Sequence, residues 1–223
     1  MARIAEELLL LLLDNASAQP SLERPRRDHV LGAAVLLDLA HAGMIRPAVP
    51  GDPAPAGRLI ALAVPGPADP VTGPAFAMLA RRPVQPAVAV KKLGRTTEGR
   101  LIERLERDGL IRRVEQPAAR RRRACSFPLT GRDRVGPART AVLSALFDRT
   151  PPAPATAAVI TVLHSVDGLG ALLSLNDRGW RWVHARAGEI AGGSWVEESP
   201  SGVAEVNLAV TASAVRHALA RLS

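Results

Sequence analysis

The sequence contains no tyrosine, and aromatic residues make up only 3% of its 223 positions. A core must therefore be built from Leu, Val, Ile and Ala, a composition typical of helical proteins. Cys125 is the only cysteine. It excludes an intramolecular disulfide and a cysteine-rich metal site, and it fits a reducing cytoplasm. Long apolar runs are also missing. The longest leucine run, Leu8 to Leu13, follows Glu6 and Glu7 and ends at Asp14. It is far short of the roughly 20 apolar residues needed to cross a bilayer and has no basic flank of the signal-peptide kind.

Catalytic signatures are absent as well. "GDPAPAG" lacks the Lys-Ser/Thr ending of a phosphate loop, and "DGLGALL" is not a dinucleotide fingerprint. There is no Gly-x-Ser-x-Gly elbow. His29, His41, His164, His184 and His217 are scattered without metal-ligand spacing. His164, in an apolar segment, reads as a hydrogen-bonded core histidine. Trp180 and Trp182 flank Arg181, so on a helix they face different sides: one ring packs and the other is partly exposed. Cys125 falls in a strand, where a thiol is usually inert. Neither an enzyme nor a cofactor is expected.

Positive charge is plentiful. The formal net charge is +8, and apart from Lys91 and Lys92 all of the basic side chains that count towards it are arginines. Such a surplus favours anionic partners, although the wealth of Arg, Ala and Pro also matches a high-GC coding bias.

Hydrophobic spacing predicts a mainly α fold: one compact helical domain over residues 1–223, with a few short strands and a projecting β-hairpin. A helix buried on all sides is expected from about Arg3 to Leu13. An irregular loop with Pro20 and Pro25 follows. A second helix is capped by Asp28, uses small residues for close packing, and ends at Gly43. A short strand pair is expected around Pro47–Val49 and Arg58–Val64, then a short helix from Gly73 to Ala80. Leu101, Ile102, Leu105 and Leu110 mark a helix stopped by Gly109. A hairpin over about 111–127 pairs Ile111–Glu115 with Ala124–Phe127 and carries Arg120, Arg121, Arg122 and Arg123 at its tip. "GPARTAVLSALFD", "TAAVITVLHSVDGLGALL", "DRGWRWVHARAGEIAGG" and "VAEVNLAVTASAVRHALARL" supply the remaining helices, with "PPAPA" as a hinge loop.

Two functional readings compete for the basic segments. Helix, glycine turn and arginine-tipped hairpin, in "LGRTTEGRLIERLERDGLIRRVEQPAARRRRACSFPLT", is the order of a winged helix. In that alternative the protein is a DNA-binding regulator. Thr96, Thr97 and Arg100 would then approach base edges while Arg120–Arg123 contact phosphates. The other reading draws on the whole chain. "AEELLLLLLDNASAQPS", "DHVLGAAVLLDLAHAGMI", "ERLERDGLIRRVEQ", "SFPLT" and "AAVITVLHSVDGLGALL" occur in that order over about Ala5 to Leu219. Together they resemble the Golgi phosphoprotein 3 family, which includes the yeast vacuolar sorting homologue and many bacterial members.

The resemblance implies a non-enzymatic adaptor, cytoplasmic and peripheral at the inner face of the membrane. Eukaryotic members bind phosphatidylinositol 4-phosphate and glycosyltransferase tails, and the hairpin can mediate self-association. The family's headgroup pocket carries over only in part. Its tryptophan position falls on Glu23, with Leu22 the nearest apolar candidate for insertion. Its second-helix arginine falls on Gly32. Of its two later basic positions one is kept as Arg95 and the other is Glu98. Specific phosphoinositide recognition is thereby weakened, because a phosphomonoester needs clustered cationic donors. A diffuse site for anionic lipid is expected instead from Arg24, Arg26, Arg27, Lys91, Lys92, Arg95 and Arg100. At the hairpin tip, Arg120–Arg123 would touch lipid or a protein partner. A merely solvated basic face is the alternative for both sets.

Overall fold

The computed structural model describes residues 3–62, 64–116, 124–198 and 202–222. Among these the fold is compact and mainly α, with nine helices and two short two-stranded sheets. α1 (Arg3–Leu13) has only Arg3 and Glu7 outside the buried set, so its leucines pack all round. At roughly 1.5–3 kcal/mol for each fully buried leucine, this one helix is a large contributor to the core.

α2 (Arg24–His41) is the central element, buried without interruption from Val30 to Ala40. Its cap is Glu23, not Asp28, and Pro25 lies in its first turn. The proline that suggested a loop is compatible with a helix start, because first-turn N–H groups have no intrahelical acceptor anyway. The helix therefore begins four residues earlier than Asp28. It ends at His41, and Gly43 follows at φ +68°.

β1 (Ile45–Pro47) pairs antiparallel with β2 (Leu59–Ala61), placing Ile45 opposite Ala61. These strands are shifted and shorter than the alternation suggested. α3 (Gly73–Arg81) and α4 (Pro86–Arg107) follow. α4 ends at Asp108 with Gly109 at φ +69°, the left-handed residue a helix stop favours. β3 (Val114–Gln116) pairs with β4 (Ala124–Ser126), and an isolated bridge joins Ile111 to Leu129. Arg120, Arg121, Arg122 and Arg123 lie outside the described residues.

α5 (Val135–Phe147), α6 (Pro154–His164), α7 (Asp177–Gly192), α8 (Ser194–Glu198) and α9 (Val203–Ala220) complete the chain. "TAAVITVLHSVDGLGALL" is not one helix. It breaks after His164, passes Asp167 at φ +51°, and continues only as a single 3-10 turn, Leu169–Ala171. Two polar side chains tie the elements to α2. Asp38, 5% exposed, accepts the backbone N–H of Ile4 at 2.8 Å and of Ala5 at 3.1 Å, capping α1 from a neighbouring helix. Asn207 of α9 donates to the carbonyls of Ala40 at 2.7 Å and Ile45 at 2.8 Å.

Candidate anionic-surface site

α2 and α4 cross where each has a glycine. A Cβ on Gly32 would lie 2.7 Å from the Val90 carbonyl oxygen and 2.8 Å from the Gly94 nitrogen. A Cβ on Gly94 would lie 2.4 Å from the Asp28 carbonyl oxygen. The backbones therefore meet at a distance only glycine permits. Gly32 is thus a contact residue of the core, and an arginine there would have to push α4 away before it could reach a ligand.

The crossing also fixes which charges meet. Arg27 Nε lies 2.9 Å from Glu98 Oε1, with the two side chains only 15% and 19% exposed. The Nε–H is not aligned for a hydrogen bond in that contact, while Arg27 Nη1 donates to the Leu22 carbonyl at 2.8 Å. Two expectations change here. Arg27 is not a free lipid-facing cation but is committed to Glu98 and the backbone. Glu98, in turn, is not a bare repulsive charge, since Arg27 neutralises it. Leu22 is corrected as well: at 7% exposure it belongs to the core and is not available for insertion.

The other predicted cations stand at the surface. Arg24 and Arg26 are exposed at the start of α2, and Lys91, Lys92 and Arg95 are exposed on α4. Arg24 makes only a loose contact, 4.0 Å, with Asp28 one turn on, of the kind that contributes little in water. Arg100 is half-buried. Thr96 is exposed but Thr97 is 2% exposed, and its hydroxyl donates to the Leu93 carbonyl at 2.8 Å. A recognition helix needs both threonines outward, so Thr97 removes one of the three base contacts that the winged-helix reading required.

Beside α1, acids and arginines are paired with one another. A cleft of about 600 Å³ beside α1 is lined by Arg3, Glu6, Arg104 and Arg134. Glu6, only 5% exposed, bridges Arg104 at 2.8 Å and Arg134 at 3.0 Å, and Arg104 also holds Asp69. No group of His, Cys, Asp and Glu among the described residues is placed to hold a metal ion.

His164 departs from its expected role. Its Nδ1 is buried without a partner, and its ring lies 5.6 Å from His184, which also contacts Trp180. Burial, helped by His184 and Arg216, holds it below the ordinary imidazole range. Trp180 is half-buried, whereas Trp182 is 41% exposed and stacks on Phe147, as the two-face reading implied.

The chain is a helical protein with a glycine-locked helix pair, exposed cations on α2 and α4, and a charged cleft whose acids and arginines pair with one another. The profile of the Golgi phosphoprotein 3 (GPP34) family matches residues 4–207, and the chain belongs to that family. Family membership points to an adaptor or lipid-binding role, in a family known as non-enzymatic. Comparison with curated proteins gave no match. No helix among the described residues is long and apolar enough to cross a membrane.

The sequence did not reveal the Arg27–Glu98 pair or the glycine crossing. The small residues of α2 signalled close packing but not its partner, and nothing local links Arg27 to a residue 71 positions away.

Proposed function

We propose that the protein attaches peripherally and reversibly to anionic membrane through the exposed cations of α2 and α4, without a phosphoinositide-specific pocket. The observation that carries this reading is the crossing itself. It sets the start of α2 against the middle of α4, so that Arg24 and Arg26 come from one helix and Lys91, Lys92 and Arg95 from the other. Each basic side chain at an anionic surface contributes about 1 kcal/mol. Five of them are enough for salt-sensitive binding. The reading gains support from Gly32 and Glu98. The first leaves no room for a basic side chain, and the second occupies Arg27 with a carboxylate of the chain's own. Protein partners would then be recruited from the membrane-bound state, with the segment carrying Arg120–Arg123 as one contact. Attachment at the inner face of the membrane follows from the same charge argument, since anionic lipid is concentrated there.

Liposome flotation over a salt series tests the proposal with neutral vesicles, anionic vesicles, and anionic vesicles of matched charge carrying phosphatidylinositol 4-phosphate. Equal binding to both anionic types, lost as salt rises, is the expected result. A strong preference for the phosphoinositide would overturn the claim of a dispersed site. Failure to float with any vesicle would overturn membrane attachment itself.

A further inference from the structure

α9 presents an apolar stripe left exposed among the described residues. Val203, Val206 and Val210 are 88%, 46% and 52% exposed. Their spacing of three and four residues is that of a single helix face. The same spacing continues through Ala214, His217 and Arg221 to the C-terminal end of the helix. Those last three residues line a cavity of about 510 Å³, whose other wall includes Gly57 and Arg58 after the β1–β2 turn and Pro86 and Ala87 at the start of α4. Among the described residues the cavity has no acid in its lining. Its polar walls include Arg58 and Arg221, and its floor is made of small apolar side chains such as Ala218, 5% exposed. His217 is held by a 2.7 Å contact between Nδ1 and the Ser213 carbonyl, which makes Nδ1 the donor.

We propose that this face of α9 and the basic cavity at its end dock an acidic amphipathic segment of a partner protein. Two independent features specify the occupant. Three valines at helical spacing want apolar side chains at matching spacing, the way a helix lies along a groove. The cavity, with its two arginines and no acid, wants a carboxylate at one end of that segment, because electrostatic complementarity sets both register and choice of partner. The stripe from Val203 to Arg221 covers about 27 Å at 1.5 Å per residue, which matches a partner helix of about five turns. The site involves none of the exposed cations assigned to lipid, so a membrane-bound molecule could hold both occupants together.

The test is selection from a display library of random 20-residue peptides against the full chain, followed by fluorescence anisotropy with the enriched sequences. Peptides with apolar residues three and four apart and acidic residues towards one end are the expected product. Arg221→Glu and Val206→Asp, both at exposed positions, should each weaken them at least tenfold while circular dichroism stays unchanged. Exchanging the peptide's acidic residues for lysine should restore binding to Arg221→Glu. Enrichment of basic peptides, equal binding to both variants, or no enrichment would each overturn the proposal. Self-association in analytical ultracentrifugation that Val206→Asp abolishes would also overturn it, by giving the stripe to a second copy of this chain.

Discussion

Replacing Glu98 by glutamine removes one negative charge from the α2–α4 crossing and leaves Arg27 facing a neutral amide. In the wild type the two side chains are 2.9 Å apart and mostly shielded from water, so they cancel as seen from a membrane. The substitution should therefore release one unit of positive charge beside Arg24 and Arg95. At about 1 kcal/mol for a basic residue near an anionic surface, vesicle binding at low salt should rise about fivefold. The gain should shrink at higher salt, where screening acts within about 8 Å. Stability should fall, since Arg27 is partly buried and loses its partner. The cost should be about 1 kcal/mol, below the 3–5 kcal/mol of a fully buried pair, because water reaches both groups and Arg27 keeps its bond to the Leu22 carbonyl. Co-sedimentation with anionic vesicles measures the first effect and thermal denaturation the second. The double variant Arg27→Gln with Glu98→Gln restores the wild-type charge and should restore wild-type binding. If Glu98→Gln stays folded and binds vesicles no better than wild type, the cancelling pair is not part of the membrane-facing surface.

Other positions give sharper tests of the fold. Gly94→Ala places a Cβ 2.4 Å from the Asp28 carbonyl oxygen, and overpacking should cost about 1–3 kcal/mol in chemical denaturation even though alanine is the better helix former. Asn207→Ala leaves the Ala40 and Ile45 carbonyls without their shared donor and should cost about 1–3 kcal/mol by the same assay. Burial pushes Asp38 from 3.8 up to about 8, against the opposing pull of the Ile4 and Ala5 N–H groups. The folded chain then keeps a proton that the unfolded chain releases. Stability should decline as pH rises from about 4 to about 8, by at most about 1.4 kcal/mol per pH unit, and level off above. Asp38→Asn should flatten that slope in thermal melts, and an unchanged slope would assign it to other groups.

Much of the helical framework was legible because its signals are local. Six leucines in a row between acids fixed α1, and the leucine spacing before Gly109 fixed the end of α4. The failures are local signals that a neighbouring element overrules. Asp28 has the chemistry of an N-cap, but its carbonyl packs against Gly94 inside a helix that Pro25 had already allowed to start. The segment after His164 has the composition of a helix. It breaks instead, where the Gly168 N–H returns to the Leu163 carbonyl at 2.8 Å and closes the C-terminus of α6.

Charge was the harder quantity to read, for a physical reason. A sequence counts ionisable groups, whereas a surface displays only those that the fold leaves unpaired. Glu6, Asp14 and Glu98 each sit against arginines from distant parts of the chain, and none of these pairings has a sequence spacing that announces it. Arg27 is the telling case: counted among the lipid-facing cations by its position after Arg24 and Arg26, it turns inward because a helix advances 100° per residue and α4 waits on that side with Glu98. The same pairing explains how an acid can stand among the basic side chains of α4. Arg27 thereby takes an internal anion, Glu98, in place of an external one. The crossing stays electrostatically neutral, and in the proposed function lipid attraction falls to the cations that α2 and α4 keep at the surface.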